Sequence, residues 1–492
     1  MSNTPLILTE RQPPKDDDCA CPDTPFITAT KLATTSENND CACANAAMNN
    51  SQELNIENRF AQASDTFTLP LSNEFWLACS QQTVYGPCVL NNSAWERWQT
   101  FAKPKILREK IDYEFADHHL IQSHNDKIHL LDGEPETLIA WLHISNACSL
   151  ECPYCYVRKS SERMSEETSF QAITDIFRTA CQHNFKKVKL KYAGGEATLH
   201  FQLVRKLHAF AVHLSNKTNI TLDAVLLSNG VHIKQQDAEW MQANDVKLMI
   251  SLDGIGEVHN RLRPLRNHTN FDTFRAVENT IDNILLPLDI KPNITMTVTA
   301  LNANSAADVA KWALIDRDLP TNFNFYRQNP NAATRSDLNL EEEALIEGML
   351  AAYAVIEKYL PERPFLNGLL DRVQTNAHTH TCGVGQNYMV ITHTGKLAQC
   401  HMHLDHPVSQ NLNDPLLNIS TGPLHNLSVD QKAGCKDCTF RYRCSGGCPL
   451  ETYRATGRWD IQSPNCNIYK RLYPEALRLE GLRLLKVNGY LQ

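Results

Sequence analysis

"TLIAWLHISNACSLECPYC", residues 137–155, runs from an apolar stretch straight into three cysteines. Its first ten residues read as a strand, and the remainder spaces Cys148, Cys152 and Cys155 as C-x3-C-x2-C. In a parallel α/β sheet the chain just past a strand's carboxyl end is where ligands bind. A closed tetrahedral metal site needs four ligands, and this loop supplies three. Three thiolates can hold three irons of a [4Fe–4S] cluster and leave the fourth iron open to a ligand. A structural zinc site is the alternative, with His143 or a distant cysteine as the fourth ligand.

Outward from this loop, "VKLKYA", "TLDAVLLSN", "VKLMISLD", "IKPNITMTVT" and "FNFYR" are further strands. Segments of helical period lie between most of them, such as "SEETSFQAITDIFRTACQHN" with Ser165 as its N-cap. Strand–helix alternation over 136–335 implies α/β architecture with a parallel sheet, either a partial barrel or an open doubly wound sheet. A helical linker over 336–380 leads to a cysteine-dense region at 381–470, and 471–492 reads as a terminal helix.

Before the barrel, residues 66–131 read as a small winged-helix-like module. Two strands with a turn at Gly86-Pro87 precede "NSAWERWQTF", where Ser93 and Glu96 stand at capping-box spacing. A second helix over 105–121 and a strand at "KIHLL" complete it. Residues 1–65 are poor in large apolar side chains and are expected to stay mobile. They contain "DCAC" twice, with Cys19 and Cys21 repeated 22 residues later as Cys41 and Cys43.

The C-terminal region orders its cysteines as Cys382, Cys400, then C-x2-C-x5-C-x3-C (Cys435, Cys438, Cys444, Cys448), then Cys466. The middle run alone would suit a zinc ribbon. Seventeen cysteines in 492 residues without a secretion signal point to metal or redox chemistry in the reducing cytoplasm. A net charge of -8 gives no reason to expect a nucleic-acid partner, and no apolar run is long enough to span a membrane.

The three-cysteine loop, with Tyr154 before its last cysteine, resembles the radical S-adenosylmethionine (SAM) enzymes. Further marks follow at successive strand ends: Gly194-Gly195-Glu196, Ser228-Asn229, and Ser251 with Asp253, then Arg263 in "HNRLRP". The resemblance implies a partial (β/α)6 TIM barrel and places the SAM amino group at the GGE turn. Ser228, Asn229, Ser251 and Asp253 would stand near the ribose or methionine part, and Arg263 near the carboxylate. The seven C-terminal cysteines resemble the SPASM extension of that family, which houses two auxiliary [4Fe–4S] clusters. Carried over, Cys435, Cys438, Cys444 and Cys466 would close one cluster, and Cys382, Cys400 and Cys448 would hold the other. No cysteine lies between 382 and 400 to complete the second set. That cluster then keeps an open iron or borrows a ligand, with His393, His401 and His403 nearby. The module at 66–131 is similar in order to PqqD-like recognition elements, which capture peptide leaders.

Taken together, the resemblance implies three [4Fe–4S] clusters, SAM, a flavodoxin- or ferredoxin-type electron donor and a ribosomally made precursor peptide. The expected activity is an intramolecular crosslink, thioether or carbon–carbon, made after reductive cleavage of SAM to a 5'-deoxyadenosyl radical. A formylglycine-forming sulfatase maturase is the second enzyme reading, and a non-catalytic zinc protein is the reading from another class.

Overall fold

The computed structural model describes residues 4–10, 59–81, 86–123, 135–268, 270–409 and 413–491. The "DCAC" segments and "KIHLL" lie outside the described residues.

The barrel region forms as its alternation requires. Strands β7 (Thr137–His143), β8 (Lys187–Ala193), β9 (Thr221–Ser228), β10 (Val246–Ser251), β11 (Asn293–Val298) and β12 (Thr321–Phe325) follow β1–β6 of the N-terminal module, given below. All six are parallel and lie side by side in chain order. A doubly wound sheet reverses its strand order at a switch point. This one does not, so the partial barrel is the sheet adopted. Side chains alternate in and out along each strand. Leu138, Ala140, Leu142, Val188, Leu190 and Tyr192 pack with the helix residues Ile173, Ile176, Phe177 and Val204. Ile139 and Trp141 turn the other way. Helix Glu166–Gln182 begins where expected, with Ser165 accepting from Thr168 N–H at 3.0 Å.

The cysteine-dense region does not stand apart. Its strand β13 (Tyr388–Ile391) adds parallel to β7, placing Tyr388 beside Ile139 and Val390 beside Trp141, and the short antiparallel β14 (Leu397–Ala398) follows. Tyr388 and Val390 therefore join Ile139 and Trp141 in one cluster with Cys382, Cys400 and Cys448. This pairing, across some 250 residues of chain, brings the two cysteine regions to the same mouth.

The N-terminal module comprises β1 (Ile7–Leu8), β2 (Phe60–Gln62), β3 (Thr66–Pro70), β4 (Phe75–Ser80), β5 (Cys88–Asn91) and β6 (Ile121–Ser123). Its main sheet is antiparallel, in the order β1-β5-β4-β3, and β2 pairs with β6. Several details differ from expectation. Two pieces of the stretch 1–65 are built into sheets, because Phe60 and Leu8 find apolar partners there. The helix at Asn92–Gln99 is capped by Asn91, not Ser93, because the strand ends one residue earlier and Asn91 Oδ1 reaches Ala94 N–H at 2.9 Å. The second helix is shorter, Lys110–Asp117, closed at its start by a Glu109/Asp112 capping box. The terminal helix starts earlier than expected and runs Cys466–Val487. It carries Gly481 against Leu71 and Leu77 of the N-terminal sheet. None of the described helices is long and apolar enough to cross a membrane.

Candidate active site

At the carboxyl ends of the barrel strands, one cavity of about 240 Å³ is lined by Cys148, Cys152 and Cys155 on one side and by Cys382, Cys400 and Cys448 on the other. Tyr154, Gly194, Gly195, Glu196, Ser228, Asn229, Ser251 and Arg263 also line it.

The loop is held against the sheet by glycine. A Cβ on Gly194 would lie 2.5 Å from the Ser145 carbonyl oxygen, and one on Gly195 2.4 Å from that of Ala147. Backbone cannot give way there, so no larger residue fits. Gly195 N–H donates to Ser145 O at 2.6 Å and Glu196 N–H to Ala147 O at 2.8 Å. The close approach these two glycines permit is to the chain's own loop.

Glu196 is more committed than its expected ammonium-binding role implies. Its Oε1 accepts from Thr198 N–H (3.1 Å), Thr198 Oγ (2.7 Å) and Ser228 Oγ (3.0 Å), and its Oε2 from Asn229 N–H at 2.7 Å. Each carboxylate oxygen offers about two acceptor positions; Oε1 is oversubscribed by three donors, and the free position is on Oε2. Asn229 directs its side-chain amide to Ser149 Oγ (3.2 Å) and towards Cys148 Sγ (3.9 Å).

Asp253 departs furthest from expectation. It does not line the cavity; it is fully buried behind it. Its Oδ2 accepts from the Tyr154 hydroxyl and from Arg263 Nε (2.7 Å), and its Oδ1 from Thr297 N–H (2.8 Å). The carboxylate is thus a brace for two groups that do face the cavity. Arg263 also lies 5.7 Å over the Tyr154 ring. Burial opposes the Arg263 charge, but Asp253, with Tyr154 and Cys152, more than offsets this and holds the guanidinium above its ordinary pKa.

The thiols group by mutual influence. Burial, with Cys155 and Cys148 adding to it and Arg263 opposing, pushes Cys152 up to about 12. Burial, with Cys448 adding to it, likewise takes Cys382 to about 11 and Cys400 to about 12. In a third set, burial together with Cys438 and Cys466 takes Cys435 to about 11 and Cys444 to about 12. Thiols this basic ionise at neutral pH only against positive charge, as iron would supply. Among the described residues no three His, Cys, Asp or Glu side chains meet as one metal ion requires.

Several contributors had no sequence signal strong enough to single them out. Lys159 hydrogen-bonds Cys155 and interacts with all three loop thiols, which raise its pKa against the opposing effect of burial. Asn426 Nδ2 donates to Cys382 O at 2.6 Å and lies 3.9 Å from Cys382 Sγ. Arg327, Arg372 and His401 line the cavity. His401, one of the three histidines named from the sequence as near the second C-terminal set, is 7% exposed, stacked 4.5 Å from Trp141 and 3.1 Å from the Tyr388 hydroxyl. His393 and His403 stay at partly exposed positions.

The third set is shaped by three consecutive left-handed residues, Ser445, Gly446 and Gly447 (φ 46°, 74° and 72°), between Cys444 and Cys448. This turn sends the two cysteines in different directions, one to each C-terminal set.

Residues 142–296 match the Radical SAM superfamily model. The chain carries a radical SAM domain. It is similar to the sporulation killing factor maturation protein SkfB of Bacillus subtilis, 25% identical over 44% of this chain and 50% of that one. It is also similar to the cysteine-type anaerobic sulfatase-maturating enzyme of Clostridium perfringens, 23% identical over 70% of this chain and 96% of that one. Among solved structures, native anSMEcpe with bound AdoMet and Cp18Cys peptide superposes with a TM-score of 0.57 at 19% identity, over 72% of this chain and 99% of that one. The radical SAM domain and its relatives mark the chain as an enzyme that uses SAM and is related to peptide- and protein-modifying maturases.

Proposed function

We propose that the chain is a radical SAM maturase that installs an intramolecular crosslink in a ribosomally made peptide, using three [4Fe–4S] clusters. Cys148, Cys152 and Cys155 would hold the SAM-binding cluster, Cys382, Cys400 and Cys448 the inner auxiliary cluster, and Cys435, Cys438, Cys444 and Cys466 the outer one. With SAM, the first cluster supplies one electron for reductive cleavage to methionine and a hydrogen-abstracting deoxyadenosyl radical.

One observation carries this reading: the loop thiols and the inner C-terminal thiols line a single cavity. A substrate side chain held there lies between the site of hydrogen abstraction and a set of thiols with no fourth cysteine. A substrate thiolate could complete that set, or the set could take up the electron released when the substrate radical is quenched. Lys159, Arg263 and Arg372 face the cavity and offset the negative charge that thiolates accumulate. Tyr154, anchored on Asp253, fixes the loop between Cys152 and Cys155. Gly194 and Gly195 hold its base.

The N-terminal module serves as the peptide-capturing element in this reading. More than a quarter of the chain lies outside the likeness to the sulfatase-maturing structure, which is itself covered almost completely. That surplus favours the crosslinking maturase over the formylglycine-forming reading, which otherwise draws on the same likeness. The thioether is preferred to a carbon–carbon link because the inner thiol set has a place for a cysteine sulfur.

Anaerobic reconstitution followed by iron and sulfide analysis tests the assignment. About twelve irons per chain are expected, falling to about eight in a Cys148/Cys152/Cys155→Ala variant. The dithionite-reduced protein should release methionine and 5'-deoxyadenosine from SAM, and the variant should not. Zinc in place of iron, or equal SAM cleavage by the variant, would remove the proposal.

A further inference from the structure

A small recess is bordered by Cys438, Cys444 and Cys466 of the third set and by Arg443, Lys470 and Tyr473. Two of these residues carry buried polar atoms without a hydrogen-bond partner, Arg443 Nε and the Tyr473 hydroxyl. Both side chains are enclosed, with Arg443 0% and Tyr473 1% exposed. Arg443 is fixed from its far end. Its Nη1 donates to Thr375 O and its Nη2 to Ser80 O at the end of β4, with Cys79 Sγ 3.8 Å from Nη2. Tyr473 stands between the guanidinium and the cysteines: burial raises its hydroxyl, Arg443 opposes, and Cys79 and Cys444 add to the rise. The hydroxyl therefore keeps its proton and is a donor at neutral pH.

A guanidinium stays charged at any pH a protein meets, and a buried charge is costly without a counter-charge. The other enclosed guanidinium groups have one: Arg263 pairs with Asp253, Arg327 with Asp371 and Arg483 with Glu480. No carboxylate pairs with Arg443 among the described residues. Cys79 does not stand in for one, because burial lifts its thiol above the ordinary pKa in spite of Arg443, and it stays neutral. The remaining source of negative charge at this recess is the third cysteine set.

We propose that Arg443 and Tyr473 are the donor pair of the outer cluster, with Nε–H and O–H directed at its sulfurs and the guanidinium as its counter-charge. Net charge and hydrogen bonds to sulfur set the potential of such a centre. Gaining an electron adds negative charge, so a cation and donors beside the sulfurs favour the reduced form. Because Arg443 also holds the Ser80 carbonyl, the end of β4 is seated on the same side chain that poises the outer set. The inference rests on the cluster assignment proposed above and adds to it which residues tune the outer site.

The test reads Tyr473→Phe, Arg443→Met and Arg443→Lys in two ways. In urea unfolding of the cluster-free chain, Tyr473→Phe deletes an unpaired buried hydroxyl, so its midpoint should equal or exceed that of the parent. In the reconstituted full chain, a redox titration followed by electron paramagnetic resonance reads the reduced clusters. The signal lost in a Cys438/Cys466→Ala chain marks the outer one. Tyr473→Phe should move that cluster's reduction equilibrium at least threefold toward the oxidised form. Arg443→Met should move it tenfold or more, about 59 mV for one electron, and Arg443→Lys, which keeps the charge, should move it less. The other clusters should keep their potentials. An outer cluster with the same potential in the parent, Tyr473→Phe and Arg443→Met would overturn this inference and leave the cluster assignment standing. Uptake of about eight irons in place of about twelve, with no signal lost in the Cys438/Cys466→Ala chain, would overturn both.

Discussion

Asp253→Asn removes one charge and keeps the shape of the side chain, which makes it the sharpest probe of the brace behind the cavity. The carboxylate is fully buried and takes three donors: Arg263 Nε, the Tyr154 hydroxyl and Thr297 N–H. An asparagine can still accept from Thr297, but its NH₂ would then face the Arg263 guanidinium, which can only donate, and a Tyr154 hydroxyl that would have to turn round to accept. Arg263, with a side chain 9% exposed, is left as a buried charge without its counterion. Breaking such a pair from one side costs about 3–5 kcal/mol. Adding Arg263→Met removes the orphaned charge, so the double variant should be no less stable than Asp253→Asn alone. The double-mutant cycle should therefore give a coupling of about 2 kcal/mol or more. Urea denaturation of the cluster-free chain, followed by tryptophan fluorescence, measures it through Trp141, Trp240 and Trp312 of the barrel region. A loss below about 1 kcal/mol for Asp253→Asn, or strict additivity in the double variant, would refute the brace.

Stability should also depend on pH through two buried histidines. Burial lowers His143 and His378 from 6.5 to about 4, against partial support from Asn146 and the Asn376 carbonyl. Between pH 6.5 and 4 the unfolded chain binds protons that the folded chain refuses, so stability is greatest above 6.5 and falls as pH drops towards 4. Each group contributes about 3 kcal/mol to that fall. Urea midpoints across this range should show it, and His378→Gln should make the slope shallower. Gly195→Ala drives a Cβ to 2.4 Å from the Ala147 carbonyl. It should cost about 1–3 kcal/mol and about four irons, with SAM cleavage lost. Gly447→Ala meets the Ser463 side chain at 2.5 Å on a left-handed backbone. It should lower the iron count through the C-terminal sets while SAM cleavage by the first set persists, as iron analysis and 5'-deoxyadenosine release will report.

The sequence by itself determined the six barrel strands, the Ser165 cap and the position of the three-cysteine loop, because these depend on short-range period, capping and the strand-end rule. It also marked the groups at the strand ends, most of which line the cavity. What each does there was not legible. Gly194 and Gly195 meet residues 145 and 147 across the strand gap, Asp253 turns inward to Tyr154 and Arg263, and His401 stacks on Trp141. Each contact joins residues far apart in the chain, and no local pattern encodes it. The same holds for Leu6-Ile7-Leu8, three apolar residues in a polar stretch that become a strand only when an edge is offered. Tertiary structure alone decided that β13 pairs with β7 and so sets two cysteine regions around one cavity. A strand's own sequence specifies its faces, whereas its neighbour is chosen by which edge the folded chain leaves open.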